Sequence, residues 1–175
     1  DLLGAGDLLL RVEYALLPTP AAGPERPGYT ALTQPLPGVT LYRVNAPLPR
    51  VFVATRALPA DGQTGRDALF SPAVLEGREV RVDGSAPLPT EPTEGRCACR
   101  SFETGRIEAR CTLSAPGVVV FVEQSDPGWK AEVDGHPTEV RTANAVLRGA
   151  VVPAGAHTVR LRFEPRGVPS GAVMT

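Results

Sequence analysis

Long apolar runs are missing from this chain. The longest, Val118 to Val122, falls far short of the roughly 20 residues that a membrane-spanning helix needs. Charge of one sign is missing as well: 18 Lys and Arg stand against 19 Asp and Glu, for a formal net charge of -1. That balance removes the electrostatic argument for a nucleic-acid or membrane-surface partner, which shows as a basic excess. Lysine is nearly absent, Lys130 being the only one, and His136 and His157 are the only histidines. There is no nucleophile elbow, phosphate-cradling glycine loop, metal-spaced histidine pair or dinucleotide fingerprint. No catalytic residue, metal ligand or cofactor is therefore assigned.

Backbone punctuation is what the chain has in excess. It holds 19 Pro and 18 Gly in 175 residues, against about 12% for the two together in an average protein. Such a composition excludes long helices, coiled coils and helical bundles, and fits many short strands joined by tight turns. The length allows one domain or two small ones. The start at Asp1, without Met and without a signal-peptide pattern, reads as that of a piece of a longer protein.

Along the chain, Leu2 to Leu17 reads as a helical turn and then a strand, and the breaker-rich stretch Pro18 to Pro37 as a surface loop. Val39 to Val44, Val51 to Ala57 and Val80 to Val82 are short β-prone runs, with a helical turn at Gly65 to Phe70. These mixed pieces predict a smaller α+β part over residues 1–84. Ser85 to Gly95, with three prolines, is the candidate linker. Residues 96–175 then follow a strand period. Ile107, Ala109, Cys111 and Leu113 alternate with Arg106, Glu108, Arg110 and Thr112, as in a half-buried strand. Val118 to Val122 is apolar on both faces and hence central, and Asp134-Gly135 is a hairpin signal. The expected fold is mainly β, with a C-terminal antiparallel sandwich or jelly roll.

Three groups of residues are candidates for function or covalent structure. Trp129 lies in a turn entering a strand. With Asp134 and Asn144 it could form a carbohydrate contact, because sugars stack on aromatic platforms; alternatively it caps the sandwich core. Among the three cysteines, Cys111 falls opposite Cys99 or Cys97 across the hairpin expected at Glu103 to Arg106, so either pair could form a disulfide. Arg50 reads as a packing or ion-pair residue, His136 as solvated, and His157 as a turn residue starting a strand.

The stretch from Val118 onward carries Pro127-Gly128-Trp129, Asp134-Gly135, Arg141 to Asn144, Pro153 to His157 and Phe163-Glu164-Pro165, followed by Gly171. Upstream lie Leu3-Gly4 and the segment Leu41 to Arg50, in which Pro47 stands where the pattern has Ala. In these features the chain resembles the extracytoplasmic C-terminal region of YfhO-like bacterial membrane proteins, which are polytopic and similar to GT-C-type glycosyltransferases. The resemblance implies a non-catalytic domain on the periplasmic or cell-surface side, between two membrane helices. It also implies a parent that transfers sugar from a polyprenyl-phosphate donor to a cell-envelope polymer. The partners would then be the transmembrane part of the parent and a cell-envelope glycan. A carbohydrate-binding module and a structural or adhesive interaction domain are the alternatives.

Overall fold

A computed structural model describes residues 14–21, 23, 29–45, 48–68 and 71–165. The described chain is mainly β and forms three sheets. Strands β1 (Tyr14–Pro18), β2 (Tyr29–Leu36) and β3 (Val39–Val44) make a small antiparallel sheet with β3 in the middle. A second sheet of five strands runs in the order β11 (His136–Thr138), β10 (Trp129–Val133), β14 (Gly155–Phe163), β8 (Arg106–Leu113) and β7 (Gly95–Glu103). The third has six: β4 (Val51–Ala54), β9 (Gly117–Gln124), β13 (Leu147–Val152), β12 (Arg141–Ala143), β6 (Glu79–Asp83) and β5 (Arg56–Ala60).

The five- and six-stranded sheets pack face to face. Ile107, Ala109, Cys111, Leu113, Val159 and Leu161 from one meet Val51, Val119, Phe121, Ala150 and Val152 from the other in a single buried cluster. Along β9 the next residues over, Val118, Val120 and Val122, point the opposite way. They join a second cluster with Val74, Val80, Val82 and Leu147. Every side chain from Val118 to Val122 is therefore buried, as expected of a strand that is apolar on both faces.

Among the described residues β5 and β6 make the one parallel pairing, and their connection supplies part of the outer cover of that sheet. A parallel connection needs a crossover, and here it holds two short helices, α1 (Gly62–Ala68) and α2 (Pro72–Leu75). Ser71 caps α2, its hydroxyl accepting from the Val74 N–H, with Pro72 at the first helical position where no donor is needed.

Two expectations change. Pro18 to Pro37 is not simply a loop, because β2 lies within it. Prolines are tolerated in an edge strand, and β2 is an edge with register shifts after Ala31 and Thr33. The boundary expected at Ser85 to Gly95 does not coincide with a break in the sheet. β4 pairs with β9 and β6 with β12, so residues N-terminal to it build the same sheet as residues C-terminal to it. The segment itself is tied down. Leu88 packs on the outer cluster, the Thr93 hydroxyl donates to Ala115 O at 2.6 Å, and Arg141 Nη1 donates to Ala86 O at 3.0 Å. The helical turn expected near Leu2 lies outside the described residues.

Candidate functional site

Where β9 ends and β10 begins, the two large sheets part and leave a cleft of about 790 Å³. Its walls come from both sheets: Gln124 to Pro127 and Trp129 on one side, Thr138 to Val140 at its margin, and Thr142 and Ala145 to Leu147 from the β12–β13 turn. The loop entering β10 is fixed by Asp126, whose carboxylate accepts the Gly128 N–H at 2.7 Å while its carbonyl accepts the Trp129 N–H at 3.1 Å. Only glycine fits at Gly128. A Cβ there would come within 2.6 Å of the Phe163 ring and 2.9 Å of Glu164 O.

Trp129 points inward at this end of the sandwich, packed against the inter-sheet core. Its cross-strand neighbour Phe163 leans on it, with centroids 5.2 Å apart at 46°. From the opposite sheet the Arg148 guanidinium lies 3.7 Å from the indole centroid. Arg148 is buried; its Nε donates to Gln124 O at 2.8 Å, and Glu123 lies 3.8 Å from Nη2. Burial pushes its pKa down to about 10, with Glu123 and Asp126 opposing. The guanidinium thus stays charged at neutral pH and forms a desolvated cation–π contact. Because Arg148 covers a face of the indole, a sugar ring has no free stacking platform there. What the cleft offers is the uncovered part of Trp129 and hydrogen-bonding groups, among them Ser125 Oγ and Thr142 Oγ1 at 3.2 Å from each other.

Asp134 and Asn144 do not converge on Trp129. Asp134 lies at the far end of β10, about 17 Å away for five residues of strand. It sits in the hairpin turn with Gly135, both at positive φ, the arrangement expected of an Asp-Gly turn. One of its oxygens accepts the Thr158 N–H at 2.8 Å and the other meets His157 Nδ1 at 2.6 Å. The remaining imidazole nitrogen faces Ala154 O at 3.0 Å. With an acceptor at each nitrogen the imidazolium is the favoured form, so the Asp134 bond, helped by Ala154, raises the His157 pKa. The same bond, with the Thr158 N–H, lowers that of Asp134. The pair is a strap between β10 and β14.

Asn144 is fully buried at φ 47°. Its Oδ1 accepts the Arg81 N–H at 2.8 Å and its own N–H donates to Arg81 O at 2.6 Å. It extends the β12–β6 ladder by one step and is structural. Arg50 is an ion-pair and packing residue, 3.3 Å from Glu123 and 3.8 Å over the Phe102 ring. His136 is not in the turn but opens β11, where it is exposed.

The disulfide joins Cys97 and Cys111. They face each other directly in the β7–β8 register, whereas Cys99 faces Ala109 and is exposed. Arg148 went unnoticed in the sequence. Its only signal is a lone charge inside the apolar run Ala145 to Val152, which does not reveal what it stacks on.

A second, smaller cavity of about 370 Å³ lies on the outer face of the five-stranded sheet. Of its charged residues, Arg160 pairs with Glu108 at 2.8 Å and Arg162 with Glu164 at 2.5 Å. No group of His, Cys, Asp and Glu suited to a metal occurs among the described residues. Comparison with protein-family models, curated proteins and solved structures finds no match. The YfhO-like resemblance rests on the sequence features alone.

Proposed function

We propose that the chain is a non-catalytic, extracytoplasmic domain of a polytopic bacterial membrane protein related to GT-C-type glycosyltransferases, and that it positions a cell-envelope glycan in the Trp129 cleft. The observation that carries this reading is the cleft itself. It is lined by Trp129, Val140 and Val146 together with Ser125, Asp126, Lys130 and Thr142, the mixture that orients a polyhydroxylated ligand. With Arg148 over the indole, recognition works through the uncovered part of Trp129 and hydrogen bonds. The Cys97–Cys111 bridge supports an oxidising, extracytoplasmic setting.

Titration of soluble envelope glycan fragments, followed by Trp129 fluorescence and calorimetry, tests it. Saturable binding that is lost in Thr142→Val and Ser125→Ala, with folding unchanged, is the expected result. Robust glycosyl transfer or hydrolysis by the chain would overturn the non-catalytic assignment, and absence of any glycan binding would overturn the positioning role.

A further inference from the structure

The small sheet carries a surface that the cleft does not use. In β3, Thr40, Tyr42 and Val44 are buried on one face, so Val39, Leu41 and Arg43 lie on the other. Leu16 of β1 stands opposite Leu41, and Leu36 of β2 opposite Val39. Leu16 and Leu36 are 62% and 63% exposed, and Leu32 is 47% exposed. Leu16 and Leu36, exposed to this degree on one face, mark a contact surface.

Three features identify what it contacts. First, residues 14–24 and 27–42 contain no Asp, Glu, Lys or Arg, in a chain that is 21% charged. A protein-docking patch carries a polar rim, whereas a segment seated among acyl chains must exclude charge. Second, Pro18, Pro20, Pro35 and Pro37 surround the β2–β3 tip. Proline has no N–H, so these positions present no backbone donor to be stranded without water. They also hinder pairing of β1 or β2 with a foreign strand. Third, the first charge on the apolar face is the exposed Arg43, four residues from Val39 and hence about 13 Å from the tip. A tip inserted by roughly 5–10 Å would bring that guanidinium to the level of lipid phosphates.

We propose that this face and its Leu36–Val39 tip rest on a lipid surface, with the leucines at the acyl boundary and Arg43 among the headgroups. Among the described residues no helix is long and apolar enough to cross a membrane, so the contact is interfacial. The inference deepens the membrane setting of the reading above but not its glycan role. Glycan titrations are done without lipid, so either can fail alone.

Flotation of the whole chain with phosphatidylcholine vesicles, with and without phosphatidylglycerol, tests it. Reversible co-flotation is expected, reduced roughly tenfold or more in Leu16→Asp/Leu36→Asp. Arg43→Gln should weaken binding only to the anionic vesicles and remove its salt dependence. A Leu36→Trp variant should show blue-shifted emission and quenching by brominated lipid. Unchanged circular dichroism keeps these results separate from misfolding. Failure to float, flotation indifferent to the Asp substitutions, or self-association that Leu36→Asp abolishes without any lipid binding would each overturn the proposal; the last outcome would make the face a contact between copies.

Discussion

The two large sheets and the small one use similar material differently. In the sandwich, β9 buries every residue from Val118 to Val122, two against the facing sheet and three in the outer cluster with helices and connecting segments. Among the described residues of the small sheet, Tyr29, Tyr42 and Val44 form a buried cluster, with the two rings edge to face at 5.8 Å. Leu16 and Leu36 are exposed. Burying a leucine gains about 1.5–3 kcal/mol, so a sheet that leaves Leu16 and Leu36 exposed forgoes stability that β9 collects at every position. The difference separates a region that holds the fold from one that displays a surface.

The largest effect should come from the sandwich centre. Phe121→Ala empties a site between the sheets and should lower unfolding free energy by about 3–5 kcal/mol in urea titration, while Leu36→Ala should stay within about 0.5 kcal/mol. Similar losses at both sites would erase the contrast. Next comes the bridge within the sandwich. Cys97→Ser/Cys111→Ser should cost about 2–4 kcal/mol, and Cys99→Ser almost nothing; a reductant should reproduce the double variant. Asn144→Ala leaves the Arg81 N–H without its buried acceptor and should cost about 1–3 kcal/mol, read as a lower thermal midpoint without change at the small sheet.

The smallest effect is pH-dependent and belongs to the Asp134–His157 strap. His157 has a folded pKa raised above 6.5. Its contribution is therefore complete below that value and is lost as pH rises through the folded pKa. Asp134 has a folded pKa lowered below 3.8. Its share is present above that value and is lost as pH falls through the folded pKa. The strap thus works best between the two ordinary values. His157→Gln should flatten the alkaline limb of the thermal midpoint against pH, and an unchanged limb would show that the strap adds nothing.

The sandwich was legible because its strands obey a strict period. The alternation from Ile107 to Leu113, the continuous valines from Val118 and the Asp134-Gly135 turn each specify local structure strongly, and each stands where expected. Partnership between distant segments was not legible. Nothing in Val51 to Ala54 announces that it will pair with β9 across more than sixty residues, so a proline-rich stretch looked like a boundary. β2 is hidden by its Pro35 and by the prolines that flank it. At the site, Trp129 packs against the inter-sheet core, as the alternative to a sugar contact has it. Asp134 and Asn144 were grouped with it by nearness in sequence, although a strand carries residues five apart to opposite ends. Arg148, which stacks on Trp129, comes from another sheet.

Hydrogen exchange on the whole chain, with and without lipid vesicles, tests the division most directly. Without vesicles, amides of β9 should exchange only through global unfolding and those of β2 and β3 much faster through local opening. Adding vesicles should slow β2 and β3 alone. Equal protection of both regions without lipid, or slowing by vesicles that is uniform or absent, would contradict a fold-bearing sandwich joined to a displayed, membrane-facing sheet.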